Sequence, residues 1–342
     1  VSIAGMDVPL EIDFTTPIVY SIAQQEDQSP GLKALFRGDE WAQRGGLFAL
    51  QPLRKDRIPI ILIHGLASDP FTWIPLYNDL MADERIRTRF QFMVWFYPTG
   101  QPVILSAADL RARVTALHAK LQRDGPHRAL DATVLCGHSL GGLLTHFLVV
   151  DPGRSLEEAI FRVPLDETQL NDADKAMCRS AVDYESLPFV TRAIFYATPH
   201  RGAPNAKKGL FHWLSGFIRL PRQLTGVYGR VRPYLTRYEG GRGVTILGSL
   251  HPASPAILAL NQLQIAPRVR YHSILGDKDM ANRTGGTDGF VPYESSHIEG
   301  ADSELILHSG HGVQLRPLAA RETRRILLEH LAEFDAAQPE KQ

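Results

Sequence analysis

Residues 132 to 148 read Ala-Thr-Val-Leu-Cys-Gly-His-Ser-Leu-Gly-Gly-Leu-Leu-Thr-His-Phe-Leu, and the stretch falls into three pieces. Thr133 to Cys136 is short, apolar and rich in β-formers, which predicts a buried strand. Gly137-His138-Ser139-Leu140-Gly141 fits the pattern G-x-S-x-G. Gly142 to Val150 is apolar nearly all round, which predicts a buried helix. Strand, sharp turn and helix form the context in which such a serine is held in strained backbone and exposed as a nucleophile. The glycines have a mechanical reason, because side chains at Gly137 and Gly141 would collide with the neighbouring strand and helix. The turn also aims the first amides of the helix at whatever the serine attacks.

Outward from this stretch, strands and helices alternate. Upstream, Ile58 to Ile63 is a β-branched run that ends in His64-Gly65-Leu66-Ala67-Ser68. Phe71 and Trp73 follow, as pocket wall or as core. Phe90 to Tyr97 reads as the next strand, stopped by Pro98-Thr99-Gly100. Ser106 to Gln122 is an amphipathic helix, with Leu110, Val114, Leu117 and Leu121 at helical spacing, and Gly125-Pro126 ends it. Downstream, Arg192 to Ala197, Val269 to Leu275 and Glu304 to Leu307 read as strands, and residues 317 to 334 as a closing helix. This alternation predicts an α/β fold with a mostly parallel central sheet and helices on both faces.

Two segments break the pattern. Asp151 to Leu187 is acidic, while Asn205 to Arg242 is basic and aromatic, with Phe211, Trp213, Phe217 and Tyr228. Both follow strands and leave the sheet at its carboxyl edge, so they are expected to form a cap or lid at about 151–190 and 203–245. Their opposite charges suit them to pair with each other. Residues 1–50 are expected to wrap the domain of residues 51–337, with Trp41 and Phe48 as packing residues and 338–342 as a loose tail. The 342 residues are enough for one large domain or two modest ones, and 44% hydrophobic content is ordinary for a globular protein. Formal net charge is zero, which gives no global attraction to nucleic acid. Both cysteines, Cys136 and Cys178, are expected to be free thiols. No apolar run is long enough to span a membrane. The chain starts at Val1, which fits removal of an export leader.

Gly-His-Ser-Leu-Gly-Gly at 137–142 resembles the nucleophile motif of α/β-hydrolase esterases and lipases. With His64-Gly65-Leu66, Ala197-Thr-Pro-His-Arg-Gly202 and Asp288-Gly-Phe-Val-Pro292, residues 58 to 335 are similar to bacterial esterases that also resemble the lipase-like domain of inositol deacylases. The resemblance implies an α/β-hydrolase fold and a serine hydrolase that cleaves small-molecule or lipid esters through an acyl-enzyme, with no cofactor and no metal. It implies that the backbone amides of Leu66 and Leu140 form an oxyanion hole. It also implies partners for Ser139 in the order acid, then histidine. His311, between two glycines just after the final strand, is the expected base. His308 lies in or beside the strand, and His297 precedes it at the wrong edge. Asp288 in the Asp-Gly-x-Val-Pro loop is the favoured acid, with Asp277 as the alternative and Asp279 behind them. His64, Phe71, Trp73, His138 and His200 are candidate pocket residues. His200 and Arg201 are more readily structural, or anchors for the cap. An acyltransferase with the same triad, an interfacial lipase whose Trp213, Phe217 and Ile218 make transient contact with a lipid surface, and a decayed binding module are the alternatives.

Overall fold

The computed structural model describes residues 45–203, 222–237, 246–279 and 285–337, with a few isolated positions before residue 17. Seven strands form one sheet: β1 (Gly46–Ala49), β2 (Ile58–Ile63), β3 (Phe90–Phe96), β4 (Thr133–His138), β5 (Val190–Tyr196), β6 (Arg270–Asp277) and β7 (Ser303–His308). Their order in space is β1-β3-β2-β4-β5-β6-β7. The β1–β3 pair is antiparallel and every other pair is parallel. The chain leaves β2 for β3 on one side and later returns to β4 on the other. A parallel sheet opens a crevice at such a reversal, beyond the carboxyl ends of the two strands. The segments after β2 and β4 are the ones that carry His64-Gly65-Leu66 and Ser139.

β2 shows why the sheet needs two layers of helix. All six of its residues are buried. Ile61 and Ile63 join the core on one face, and Ile58, Ile60 and Leu62 the core on the other. Side chains alternate along a strand, so a strand apolar at every position must be covered twice. One layer contains α3 (Val103–Leu121) and α4 (Leu140–Leu148); the other contains α1 (Ile74–Met81), α2 (Glu84–Arg89) and α8 (Pro317–Ala336). The nine residues of α4 are all buried, as its nearly all-apolar sequence predicts.

The structure differs from the sequence reading in places. β1 lies within the segment expected only to wrap the domain, so the sheet begins before residue 51. Phe48 on β1 is 44% exposed rather than packed. An edge strand of four residues has one face with no partner layer. Residues 74 to 89 form α1 and α2, which interrupted hydrophobic spacing conceals; Asp83 ends the first and caps the second by accepting from the Arg85 amide at 2.9 Å.

The acidic insertion folds as α5 (Ser155–Ile160) and α6 (Asp172–Val182), and the described part of the basic one contains α7 (Arg222–Val231). The two insertions meet through charge. The Arg230 guanidinium of α7 donates to both Asp174 oxygens of α6, at 2.6 and 3.0 Å. The chains also cross-link as backbone, where Thr236 N–H donates to the Ile160 carbonyl at 2.9 Å. Trp41, Phe211, Trp213, Phe217, Ile218 and the tail at 338–342 lie outside the described residues. Cys136 and Cys178 are both free and buried.

Candidate active site

The turn between β4 and α4 is built as the glycine spacing requires. A Cβ on Gly137 would overlap the Gly141 carbonyl oxygen and lie 2.5 Å from Thr145 Oγ1. A Cβ on Gly141 would overlap the Ile63 carbonyl oxygen and lie 2.5 Å from that of His64. Bare glycines therefore let α4 start directly against β2. Ser139 itself has φ 54° and ψ −119°, a conformation costly for any residue with a side chain. Its amide is tied to the Tyr196 carbonyl at the end of β5, 2.8 Å away. Among the described residues, the non-glycine residues with positive φ are Ala67, Ser139 and Ala197. They follow β2, β4 and β5, neighbours in the sheet, so the strain is concentrated at one edge.

That edge gathers Ser139, His311 and Asp288. Ser139 Oγ lies 2.8 Å from His311 Nε2. His311 Nδ1 lies 2.6 Å from Asp288 Oδ2. An ionised carboxylate can only accept, so Nδ1 carries the proton and Nε2 presents its lone pair to the serine hydroxyl. Asp288 is 1% exposed. Its other oxygen, Oδ1, accepts from the amides of Phe290 and Val291 at 2.8 and 2.7 Å. Two amides and one imidazole thus fix the carboxylate. The Phe290 ring stands 5.1 Å from the His311 ring and closes one side of it.

This is an α/β-hydrolase fold. No family model matches the sequence, and no curated protein matches it. In three dimensions the chain is similar to the mature lipase BlEst2 of Bacillus licheniformis, with 15% identity, a TM-score of 0.49, and 82% of this chain and 97% of that one covered. It is similar to a lipase-esterase related protein from Clostridium acetobutylicum, with 13% identity, a TM-score of 0.39, and 84% and 99% of the chains covered. It is also similar to the enol-lactonase of Burkholderia xenovorans, with 13% identity, a TM-score of 0.37, and 84% and 95% covered.

The other sequence candidates occupy distinct places in this hydrolase fold. Among the described residues no hydrogen bond joins the Asp277 carboxylate to His311. Asp277 lies beneath the loop that carries Asp288, where a Cβ on Gly286 would be 2.6 Å from its Oδ2, and it accepts from the Asp279 amide at 3.1 Å. Asp279 and His308 are exposed. His297 pairs with Glu304 at 2.6 Å. Gly65 packs against the turn that carries the nucleophile, since a Cβ there would lie 3.0 Å from Ser139 Cβ, and Leu66 is the next residue. Leu140 is the first residue of α4.

Three candidate pocket residues are core instead. Trp73, the last residue of the 3-10 turn Pro70–Trp73, is 1% exposed and stands edge-on to Tyr196. His64 is fully buried; its Nδ1–H donates to the Gly65 carbonyl at 3.0 Å and its ring stacks on Tyr97. Burial pushes its pKa down to about 4, so it stays neutral. His200 is 1% exposed and shares a proton with His146 of α4 across 3.1 Å. Burial is the first cause that holds both rings neutral, His146 down to about 3 and His200 well below its ordinary value. Arg201 donates to the carbonyls of Glu294 and His297, at 2.7 and 2.6 Å, which makes it a tie between loops. Phe71 is half-buried. His138 is buried, and its Nε2 lies 2.9 Å from the His311 carbonyl oxygen, a contact that spacing along the chain does not reveal.

Apart from the serine crevice, an apolar cavity of about 90 Å³ lies between α3 and the insertions. Ile104, Leu105, Ile160, Met177, Cys178 and Val227 line it, and Ser139, His311 and Asp288 do not. Among the described residues no cluster of three metal-ligating side chains occurs, and no helix is long and apolar enough to cross a membrane.

Proposed function

We propose that the protein is a serine hydrolase that cleaves carboxylic esters through an acyl-enzyme, with Ser139 as nucleophile, His311 as base and acid, and Asp288 as the orienting carboxylate. The observation that carries this reading is the continuous relay from Ser139 Oγ to His311 Nε2 at 2.8 Å and from His311 Nδ1 to Asp288 Oδ2 at 2.6 Å. Nucleophile, base and orienter within hydrogen-bond reach are what general-base activation of a hydroxyl needs.

In this reading Ser139 Oγ attacks the ester carbonyl as its proton passes to His311 Nε2. Asp288 stabilises the imidazolium that forms and holds the ring in its tautomer. Negative charge collects on the carbonyl oxygen, where the Leu66 and Leu140 amides receive it. Collapse breaks the bond to the alkoxy oxygen, and His311 returns the proton to the departing alcohol. Water then repeats the cycle on the acyl-Ser139 ester and releases the acid. The insertions that carry α5, α6 and α7 form the cap over this edge.

The test is release of p-nitrophenol from short and long acyl esters, with wild type beside Ser139→Ala. Wild-type turnover with a dead variant is expected, together with a fluorophosphonate label on Ser139. Equal activity in both proteins would remove Ser139 from the mechanism.

A further inference from the structure

We propose that His138 is a positioning residue for this reaction: by donating Nε2–H to the His311 carbonyl, it ties the loop that carries the base to the strand that carries the nucleophile. The proposal rests on the serine-hydrolase reading above. His138 is the last residue of β4 and directly precedes Ser139. Its Nε2 is 2.9 Å from the His311 carbonyl oxygen. A carbonyl only accepts, so the neutral ring must carry its proton on Nε2. Among the described residues no other hydrogen bond reaches the His311 backbone. The rest of that loop is held elsewhere, as where Ser309 N–H donates to the Asp277 carbonyl at 3.2 Å. His311 therefore has its ring fixed by Ser139 and Asp288 and its backbone fixed by His138.

The surroundings fit a neutral donor. The titratable groups that face His138 are His64, His311 and Asp288. Burial, then repulsion from His311, pushes its pKa down to about 3. The two rings are 5.0 Å apart and tilted by 51°. When His311 takes the serine proton, no second cation stands beside it. Gly65 makes room for the ring, since a Cβ there would be 3.1 Å from His138 Nδ1. Among the described residues that buried Nδ1 has no hydrogen-bond partner, which leaves Nε2 as the ring nitrogen with a contact.

Three variants test this on p-nitrophenyl esters, with urea unfolding measured in parallel. His138→Gln keeps an N–H at similar reach, His138→Leu removes the donor, and His138→Asn leaves one too short to arrive. His138→Leu is expected to lose about 100-fold in kcat with KM little changed, the scale of a misplaced catalytic group. His138→Gln should recover most of that loss at equal folded fraction. A His138→Leu enzyme with wild-type kcat would overturn the proposal, as would a Gln variant that falls as far as Leu. If His138→Leu does not fold, the Gln and Asn variants decide by the same comparison. A wild type that turns over no ester and takes no fluorophosphonate on Ser139 overturns the hydrolase reading and this proposal with it. Wild-type turnover beside an unaffected His138→Leu sinks the positioning role alone.

Discussion

Gly142 and Thr198 pack so closely that no side chain fits between them: a Cβ on Gly142 would overlap Thr198 Oγ1 and lie 2.7 Å from both its Cβ and its Cγ2. Gly142 lies in the first turn of α4, and Thr198 follows β5, in the Ala-Thr-Pro-His-Arg-Gly stretch. The contact joins two of the motifs that sequence reading singled out. Gly142→Ala gains helix propensity but overpacks this junction, and such overpacking costs about 1–3 kcal/mol. The urea midpoint should fall with an unchanged m-value. Thr198→Ala should relieve much of the loss in the double variant; strict additivity of the two changes would contradict the contact.

The two buried aspartates at the edge should behave differently. Asp288→Asn leaves the loop in place but spoils the acceptor for His311 Nδ1–H, and comparable changes in serine hydrolases cost about 10,000-fold in kcat. Asp277→Asn removes no contact to His311, since Asp277 packs against Gly286. It should keep kcat within about 10-fold of wild type and act through stability instead, in the 0.5–3 kcal/mol range, about what single substitutions cost. Steady-state kinetics on both variants distinguishes them, and equal losses would contradict the assignment of roles.

Acid should weaken the fold from pH 6.5 downward. Burial is the leading cause of depressed pKa values at His64, His138, His146, His200, His272 and His330, with His272 and His330 near 4. The unfolded chain binds protons on these rings near pH 6.5, whereas the folded chain resists until much lower pH. The stability these rings contribute is therefore complete only well above pH 6.5 and declines as pH falls through 6.5 towards their depressed folded values. Each ring withdraws up to about 1.4 kcal/mol per pH unit in that window. Urea midpoints at pH 7.5, 6.5 and 5.5 should fall across both intervals, with the larger drop in the last. A flat series would mean that these rings are not buried neutral.

At the amino end of β5, Arg192 is fully buried, and its guanidinium reaches His330 Nδ1 at 3.2 Å, His272 Nε2 at 2.7 Å and Glu333 at 2.6 Å, with Glu329 at 3.5 Å. Removal of both carboxylates by Glu329→Ala with Glu333→Ala leaves a buried cation with only neutral partners, a loss of about 3–5 kcal/mol. Arg192→Met fills similar volume without charge and leaves glutamates that are already half in water. It should cost less than the double variant, as calorimetric unfolding would register. The reverse order would show that the network is held by Arg192 packing rather than by charge.

Periodicity located what it is able to locate. The run Ile58 to Ile63 is a strand over the expected residues, and α4 is apolar enough to be recognised without its neighbours. β1 escaped notice because four residues that pair at an edge leave no distinctive pattern. α6 was hidden by its acidic sequence, although Cys178, Ala181 and Val182 make a buried stripe on it. Positions near motifs left Trp73 open as wall or core, made His64 a pocket candidate and favoured a structural role for His200. Their side chains turn inward, and direction of that kind depends on which neighbours leave room.

Local chemistry sufficed for the turn around Ser139, because the clashes that require Gly137 and Gly141 arise between segments that the strand-turn-helix pattern already brings together. The same is true of the parallel sheet, which follows from alternation along the chain. Ser139 and His311 are 172 residues apart, and His311 and Asp288 are 23 apart. Which carboxylate reaches Nδ1, and that His138 holds the His311 carbonyl, were decided only where the ends of β4, β6 and β7 converge. Hydrogen bonds act over about 3 Å, and no short-range pattern specifies the separation between strand ends that the packing of two helical layers sets.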